Sequence, residues 1–289
     1  MCDEFTAADD DSALAAKRLT RREFAAMGTA AALAGYSSLS AASTSAMTES
    51  DVMVTTADGQ CDAFFVAPAQ GKYPGVILWP DALGLRDSKK AMARRLAAQG
   101  YAVLVVNPYY RDVRAPLPLD FAAFRTPEGR AKIMPYMQSL TPEKVISDAI
   151  AHVAFLDKQT MVDARRGIGV HGYCMGGAIA VRSAAAVPVR VTAVGSFHGG
   201  GLVTDKPDSP HRLLDKTQAS YLIAIARNDD EKAPQDKVTF KSAAKAAKRP
   251  AEIEVYAGNH GWCVPDAPDY DQAAAERAWR QLLLLYKTL

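Results

Sequence analysis

From about Asp51 to the C-terminus, short apolar runs alternate with amphipathic stretches. Gly75-Val76-Ile77-Leu78-Trp79 and Ala102 to Val106 carry no polar side chain, the pattern of strands buried on both faces. Gly167 to His171, Val191 to Phe197, Tyr221 to Ala226 and Glu252 to Tyr256 predict further strands. Ser88 to Gln99 predicts a helix: Asp87 or Ser88 can cap it, Met92 and Leu96 lie four apart, and Gly100 stops it. Helices are also predicted from Thr141-Pro142-Glu143 to about Leu156, over Gly176 to Ala186, Gln235 to Ala247 and Gln272 to Leu285. Val52 to Thr56 and Cys61 to Val66 flank Ala57-Asp58-Gly59 as a hairpin. Residues 108 to 140 hold several prolines and no clear period, which predicts an irregular segment with short helices. Strands separated by helices imply a mostly parallel central sheet with helices on both faces, an α/β fold.

The first 46 residues break this pattern. Lys17, Arg18, Arg21 and Arg22 precede an uncharged, Ala-rich run from Phe24 to Thr48. Thr20-Arg21-Arg22-Glu23-Phe24 resembles a twin-arginine export motif, and small residues around Ala42 and Thr44-Ser45-Ala46 offer cleavage sites. The expectation is a signal peptide over 1–46, a single domain over 47–289 and a periplasmic mature protein without a membrane anchor. Composition narrows the function further. With 34 basic and 32 acidic side chains among 289 residues, the chain lacks the basic field of a nucleic-acid binder. Four cysteines without a C-x-x-C pair suit neither a disulfide scaffold nor a zinc ribbon.

The sharpest chemical signal is Gly172-Tyr173-Cys174-Met175-Gly176-Gly177, between a predicted strand and a predicted helix. A G-x-nucleophile-x-G turn strains the backbone of the nucleophile and leaves no room for side chains at its glycines. The helix start turns N–H groups and the positive end of its dipole toward the sulfur, which favours thiolate. Such a nucleophile needs a base, and the base needs an orienting carboxylate. In this fold the order along the chain is nucleophile, acid, histidine. Asp229 and Asp230 follow one predicted strand and His260 follows the next, in Gly258-Asn259-His260-Gly261-Trp262. All lie just past strand C-termini, where α/β sheets gather their functional groups. His171 is expected in the core, His152 lies on a helix and His211 in a polar loop; no metal-ligand spacing occurs.

Gly-Tyr-Cys-Met-Gly-Gly at 172–177 resembles the nucleophile turn of the dienelactone hydrolase family, α/β-hydrolases with Cys where most esterases carry Ser. The likeness runs from about Val52 to the C-terminus. It implies the α/β-hydrolase fold and places Asp81, in Pro80-Asp81-Ala82-Leu83-Gly84-Leu85, at the family's thiol-activating carboxylate. It also implies an oxyanion hole from the backbone N–H groups of Ala82 and Met175, and a triad of Cys174, His260 and an aspartate. The spacing from Ala226 favours Asp229 as that acid, whereas Pro234 favours Asp230; Asp229 is preferred. Tyr173, His198 and Trp262 are expected to touch substrate. The sequence departs from the family after His260, where Gly261-Trp262-Cys263-Val264-Pro265 lacks an arginine for a substrate carboxylate; Arg111 is the expected replacement. His198 stands where the family often has an aromatic residue.

The expected activity is hydrolysis of a small carboxylic ester or lactone through an acyl-enzyme, without metal or organic cofactor, by a monomer. Two alternatives stay open. One is a general short-chain carboxylesterase or thioesterase. The other is a non-catalytic thiol redox or binding protein, in which Cys174 could pair with Cys263.

Overall fold

The computed structural model describes residues 46–289. The expected signal peptide therefore lies outside the described residues, except for Ala46. The described residues open with a hairpin of β1 (Met47–Thr56) and β2 (Gly59–Pro68), turning at Gly59 with φ +132°. Both strands extend beyond their apolar patterns, and of the added residues Glu49 to Asp51 of β1 and Gly59 and Gln60 of β2 are solvent-exposed.

Alternation then takes over: β3 (Gly75–Trp79), α1 (Asp87–Ala97), β4 (Ala102–Val106), α2 (Phe121–Phe124), α3 (Pro127–Ser139), α4 (Pro142–Asp157), β5 (Ile168–Tyr173) and α5 (Met175–Ala186). There follow β6 (Val191–Phe197), a 3₁₀ turn at Pro210–Lys216, β7 (Ser220–Ala226), α6 (Arg227–Lys232), α7 (Pro234–Ala246), β8 (Ala251–Tyr256) and α8 (Gln272–Tyr286). The eight strands form one sheet in the order β1-β2-β4-β3-β5-β6-β7-β8. β2 pairs antiparallel with β1 and β4, and every pair from β4 onward through β8 is parallel.

The apolar strands read as doubly buried because they are. Along β3, Val76 and Leu78 pack toward Ala93 and Leu96 of α1 and Leu282 and Tyr286 of α8. Ile77 and Trp79 face the other way, toward Val153 and Leu156 of α4 and Ile179 of α5. Successive side chains on a strand point to opposite faces, so one five-residue run feeds two cores. His171 is in the core as expected, with Nδ1 2.8 Å from the Tyr286 hydroxyl.

The segment expected to be irregular with short helices holds α2 and α3. Asp120 caps α2 and Thr126 caps α3, each accepting a backbone N–H, and Pro127 begins α3. Pro135 inside α3 removes one helical N–H donor, and it also obscures the helical period in the sequence.

Candidate active site

The site lies at the C-terminal ends of the parallel strands. β5 ends at Tyr173, and Cys174 turns the chain into α5 with φ +54° and ψ −122°. That conformation is costly for a residue with a Cβ and persists only where its surroundings over-determine it. Here they do. A methyl group on Gly172 would lie 2.0 Å from the Gly176 carbonyl oxygen. One on Gly176 would lie 2.6 Å from the carbonyl oxygens of both Trp79 and Pro80. The glycines thus let the turn close on itself and let α5 start against the end of β3.

A cavity of about 580 Å³ opens over this turn. Cys174, Asp81, Ala82, His198, Asp229 and His260 line it together. His260 Nδ1 lies 2.6 Å from Asp229 Oδ2, and the His260 backbone N–H donates to Asn228 Oδ1 at 2.8 Å. Burial opposes protonation of His260. The Asp229 hydrogen bond and the Cys174 sulfur beside the ring outweigh it and raise the pKa to about 10. Asp230 points elsewhere, to the Lys237 ammonium at 2.6 Å. Of the two adjacent aspartates, α6 brings Asp229, and not Asp230, onto the histidine.

His198 ends β6 with φ +40° and is 2% exposed. Its ring stands edge-on to His260 at 4.6 Å between centroids, and neither ring nitrogen has a hydrogen-bond partner among the described residues. Burial, then the neighbouring His260, holds its pKa well below the ordinary value, so the ring is neutral.

Other expectations are corrected. Asp81 reaches the cavity, but its carboxylate is fully engaged: Arg86 donates to both oxygens at 2.8 and 3.0 Å, and Lys89 lies 2.9 Å away. Burial would raise its pKa, yet the Lys89 and Arg86 charges hold it well below the usual carboxylate range. A carboxylate so held is a weak proton acceptor and does not fit the role of thiol base. Arg111 does not line the cavity; it bridges Asp148 at 2.8 Å and Asp58 at 2.6 Å, behind Tyr110. Tyr173 precedes Cys174 on a strand, so its side chain takes the opposite face, stacked on Phe197 and lining a separate apolar cavity. Trp262 is fully buried and stacked on Tyr256 at 4.6 Å, beneath the loop that carries His260. Cys263 is buried on that same far side, with Tyr173, so it does not share the Cys174 cavity; among the described residues all three cysteines are free.

The sequence reading missed the cavity's outer wall. Phe121 and Phe124 of α2, Arg125 and Arg130 line it from one side, and Lys232, Val264 and Pro268 from the other. Arg125 reaches across to Asp269 at 2.5 Å. Thr126-Pro127-Glu128 carries the same helix-start signal as Thr141-Pro142-Glu143, and would have revealed α3.

A mostly parallel eight-stranded sheet with a strained cysteine turn at the end of its middle strand is the α/β-hydrolase fold. The chain belongs to the dienelactone hydrolase family, whose model matches residues 61–289. It is 29% identical over 259 residues to the "Putative carboxymethylenebutenolidase" of Escherichia coli K12, covering 85% of this chain and 91% of that protein. A protein of the same name from Synechocystis is 27% identical over 225 residues, covering 76% and 88%. Among solved structures, the "Putative Dienelactone Hydrolase" of Klebsiella pneumoniae superposes with a TM-score of 0.73 at 22% identity, over 84% of this chain and all of that one.

Proposed function

We propose that the protein hydrolyses a carboxylic ester or lactone through an acyl-enzyme on Cys174. The observation that carries this reading is the convergence of Cys174, His260 and Asp229 on one cavity, in the chain order and at the strand ends that acyl transfer on this fold uses. The names of the E. coli and Synechocystis relatives favour a lactone.

In the proposed cycle, the proton of the Cys174–His260 pair resides on His260 as the Cys174 sulfur adds to the carbonyl carbon. The backbone N–H groups of Ala82 and Met175 donate to the oxyanion, each worth about 3 kcal/mol in the transition state. The tetrahedral intermediate collapses, the bond to the leaving oxygen breaks, and the His260 imidazolium returns its proton to that oxygen. His260 then removes a proton from water, which attacks the thioester carbonyl. Collapse of the second intermediate frees the carboxylate product and the thiol. Asp229 holds the Nδ1–H tautomer of His260 and stabilises the imidazolium. In a lactone the leaving oxygen remains tethered to the acyl group, so the product is one hydroxy or oxo acid.

Arg130 and Lys232 line the cavity and enter no ion pair with another described residue, which favours a substrate that carries an anionic group. The test is turnover of carboxylated enol-lactones and neutral esters of equal size, with mass spectrometry of the quenched enzyme. An acyl adduct confined to Cys174, absent from Cys174→Ala, is the expected result; turnover by that variant at the wild-type rate overturns the reading.

A further inference from the structure

Lys89 is fully buried, on α1 below the substrate cavity, and the proposed cycle gives it no task. Its ammonium touches two backbone segments at once. On one side it lies 2.9 Å from the Asp81 carboxylate. On the other it sits over the Tyr173 ring, 4.2 Å from the centroid. Asp81 immediately precedes Ala82, and Oδ1 of Asp81 accepts the Leu83 backbone N–H at 3.0 Å, so the carboxylate fixes the loop around Ala82. Tyr173 precedes Cys174 and Met175, and its ring is clamped from its far side by Phe197 at 5.2 Å. The loop and the turn are in backbone contact at Gly176, so a small shift in either changes the gap between them.

A buried ion pair is a poor source of stability, because an apolar pair of the same shape serves as well or better; what it does supply is direction. Arg86 completes the set by bonding Asp81 and Asp266 together, so the four charges Asp81, Asp266, Arg86 and Lys89 cancel. The set is too well neutralised to act as a proton donor or acceptor. Its geometry ties the end of β3, the end of β5 and the loop after His260 into one unit.

We propose that Lys89 is a positioning residue of the oxyanion hole: by holding Asp81 and the Tyr173 ring together, it sets the separation of the Ala82 and Met175 amides. This rests on the acyl-transfer reading above. Tyr109 supports the same pair from the opposite side, its hydroxyl donating to the Ala82 carbonyl at 3.0 Å and lying 3.3 Å from the Met175 sulfur. Loss of Lys89 therefore loosens the hole without abolishing it.

The experiment compares wild type, Lys89→Met and the double variant Asp81→Asn/Lys89→Met, which removes both charges and leaves no buried carboxylate short of a partner. Two rates are measured: ester hydrolysis, which uses the oxyanion hole, and alkylation of Cys174 by iodoacetamide, which does not. Cys174→Ala supplies the background from the other thiols. The expected result is a kcat lower by about ten- to a hundredfold in both variants, less than the loss of a whole donor. KM and the alkylation rate stay within about twofold of wild type. Recovery of kcat in the double variant overturns the proposal, since the lysine would then serve only to balance Asp81. So does a parallel fall in alkylation, which would put Lys89 on the thiol, or a kcat unchanged in both. Failure of the acyl-transfer reading has a different signature: wild type and Cys174→Ala would be alike on esters while alkylation stayed intact.

Discussion

At the scale of single residues, the site depends on one strained position and one hydrogen bond. Cys174 sits at φ +54° because Gly172 and Gly176 permit the approach of backbone on both sides. Replacing the sulfur leaves that backbone untouched, so Cys174→Ala should keep the fold and its thermal midpoint while losing turnover of any ester or lactone. Asp229→Asn should cost far more activity than Asp230→Asn, since only Asp229 contacts His260, 2.6 Å away. The pH profile carries the same information. The His260 pKa is raised to about 10, so its imidazolium persists through neutral pH and is lost as pH rises through that value. kcat/KM should therefore fall on the alkaline side as the proton for the leaving oxygen is lost. Asp229→Asn removes the partner that favours the charged ring, so its alkaline limb should move to lower pH. A limb that stays in place would separate it from His260. Chain order singles out His260 and the Asp229–Asp230 pair, and spacing prefers Asp229, the one of the two that contacts His260. The two aspartates are adjacent on α6, and only the helix's rotation decides which one faces the loop after β8.

At the scale of elements, legibility followed burial. β3 and β4 read correctly because each is buried on both faces and leaves an unbroken apolar run; β6 and β7 are nearly as buried, with only Thr192, Ser196 and Ser220 as polar interruptions. α2 and α3 were expected only as short helices without bounds, because only Gly129 and Ile133 of α3 are buried and Pro135 interrupts it. Without their bounds, the expected cation was placed outside the cavity. Arg111, close in sequence to a strand end, is held by Asp148, which is 1% exposed, while Arg130 on α3 lines the cavity. The two arginines should therefore behave oppositely. Arg130→Met should raise KM for a carboxylated lactone by about tenfold, as for loss of one charge-assisted contact worth ~1.5 kcal/mol, and leave a neutral ester nearly unaffected. Arg111→Met should leave both KM values within twofold and lower stability by about 3 kcal/mol, because it strands a buried carboxylate. Steady-state kinetics on the paired substrates and urea denaturation read the two effects separately. Equal KM changes for the two substrates in Arg130→Met would remove the argument for an anionic substrate.

At the scale of the whole molecule, the eight-stranded sheet lies within residues 46–289. β1 pairs with β2 along its whole length, from Met47 opposite Pro68 to Thr56 opposite Gly59, and the Ala46 carbonyl still accepts the Ala69 N–H at 2.7 Å. A cut ahead of Ala46 thus spares every strand, whereas a cut within β1 would expose the paired edge of β2. We infer that the chain leaves the cytoplasm already folded, through a route that reads Arg21 and Arg22, and that processing falls no later than Ala46. Folded export would also suit a free Cys174, since the thiol would enter an oxidising compartment already enclosed in its cavity. Replacing both arginines with lysine keeps the charge and removes the address, so it separates recognition from electrostatics. The double-lysine precursor should accumulate in the cytoplasm, at full length and with normal hydrolytic activity, while wild type appears outside it with a shortened N-terminus. Intact mass of the exported form locates the cut, and fractionation with activity assay locates the protein. Normal maturation of the double-lysine variant would rule out this route, and a mature N-terminus beyond Met47 would mean that the first strand is dispensable to the sheet.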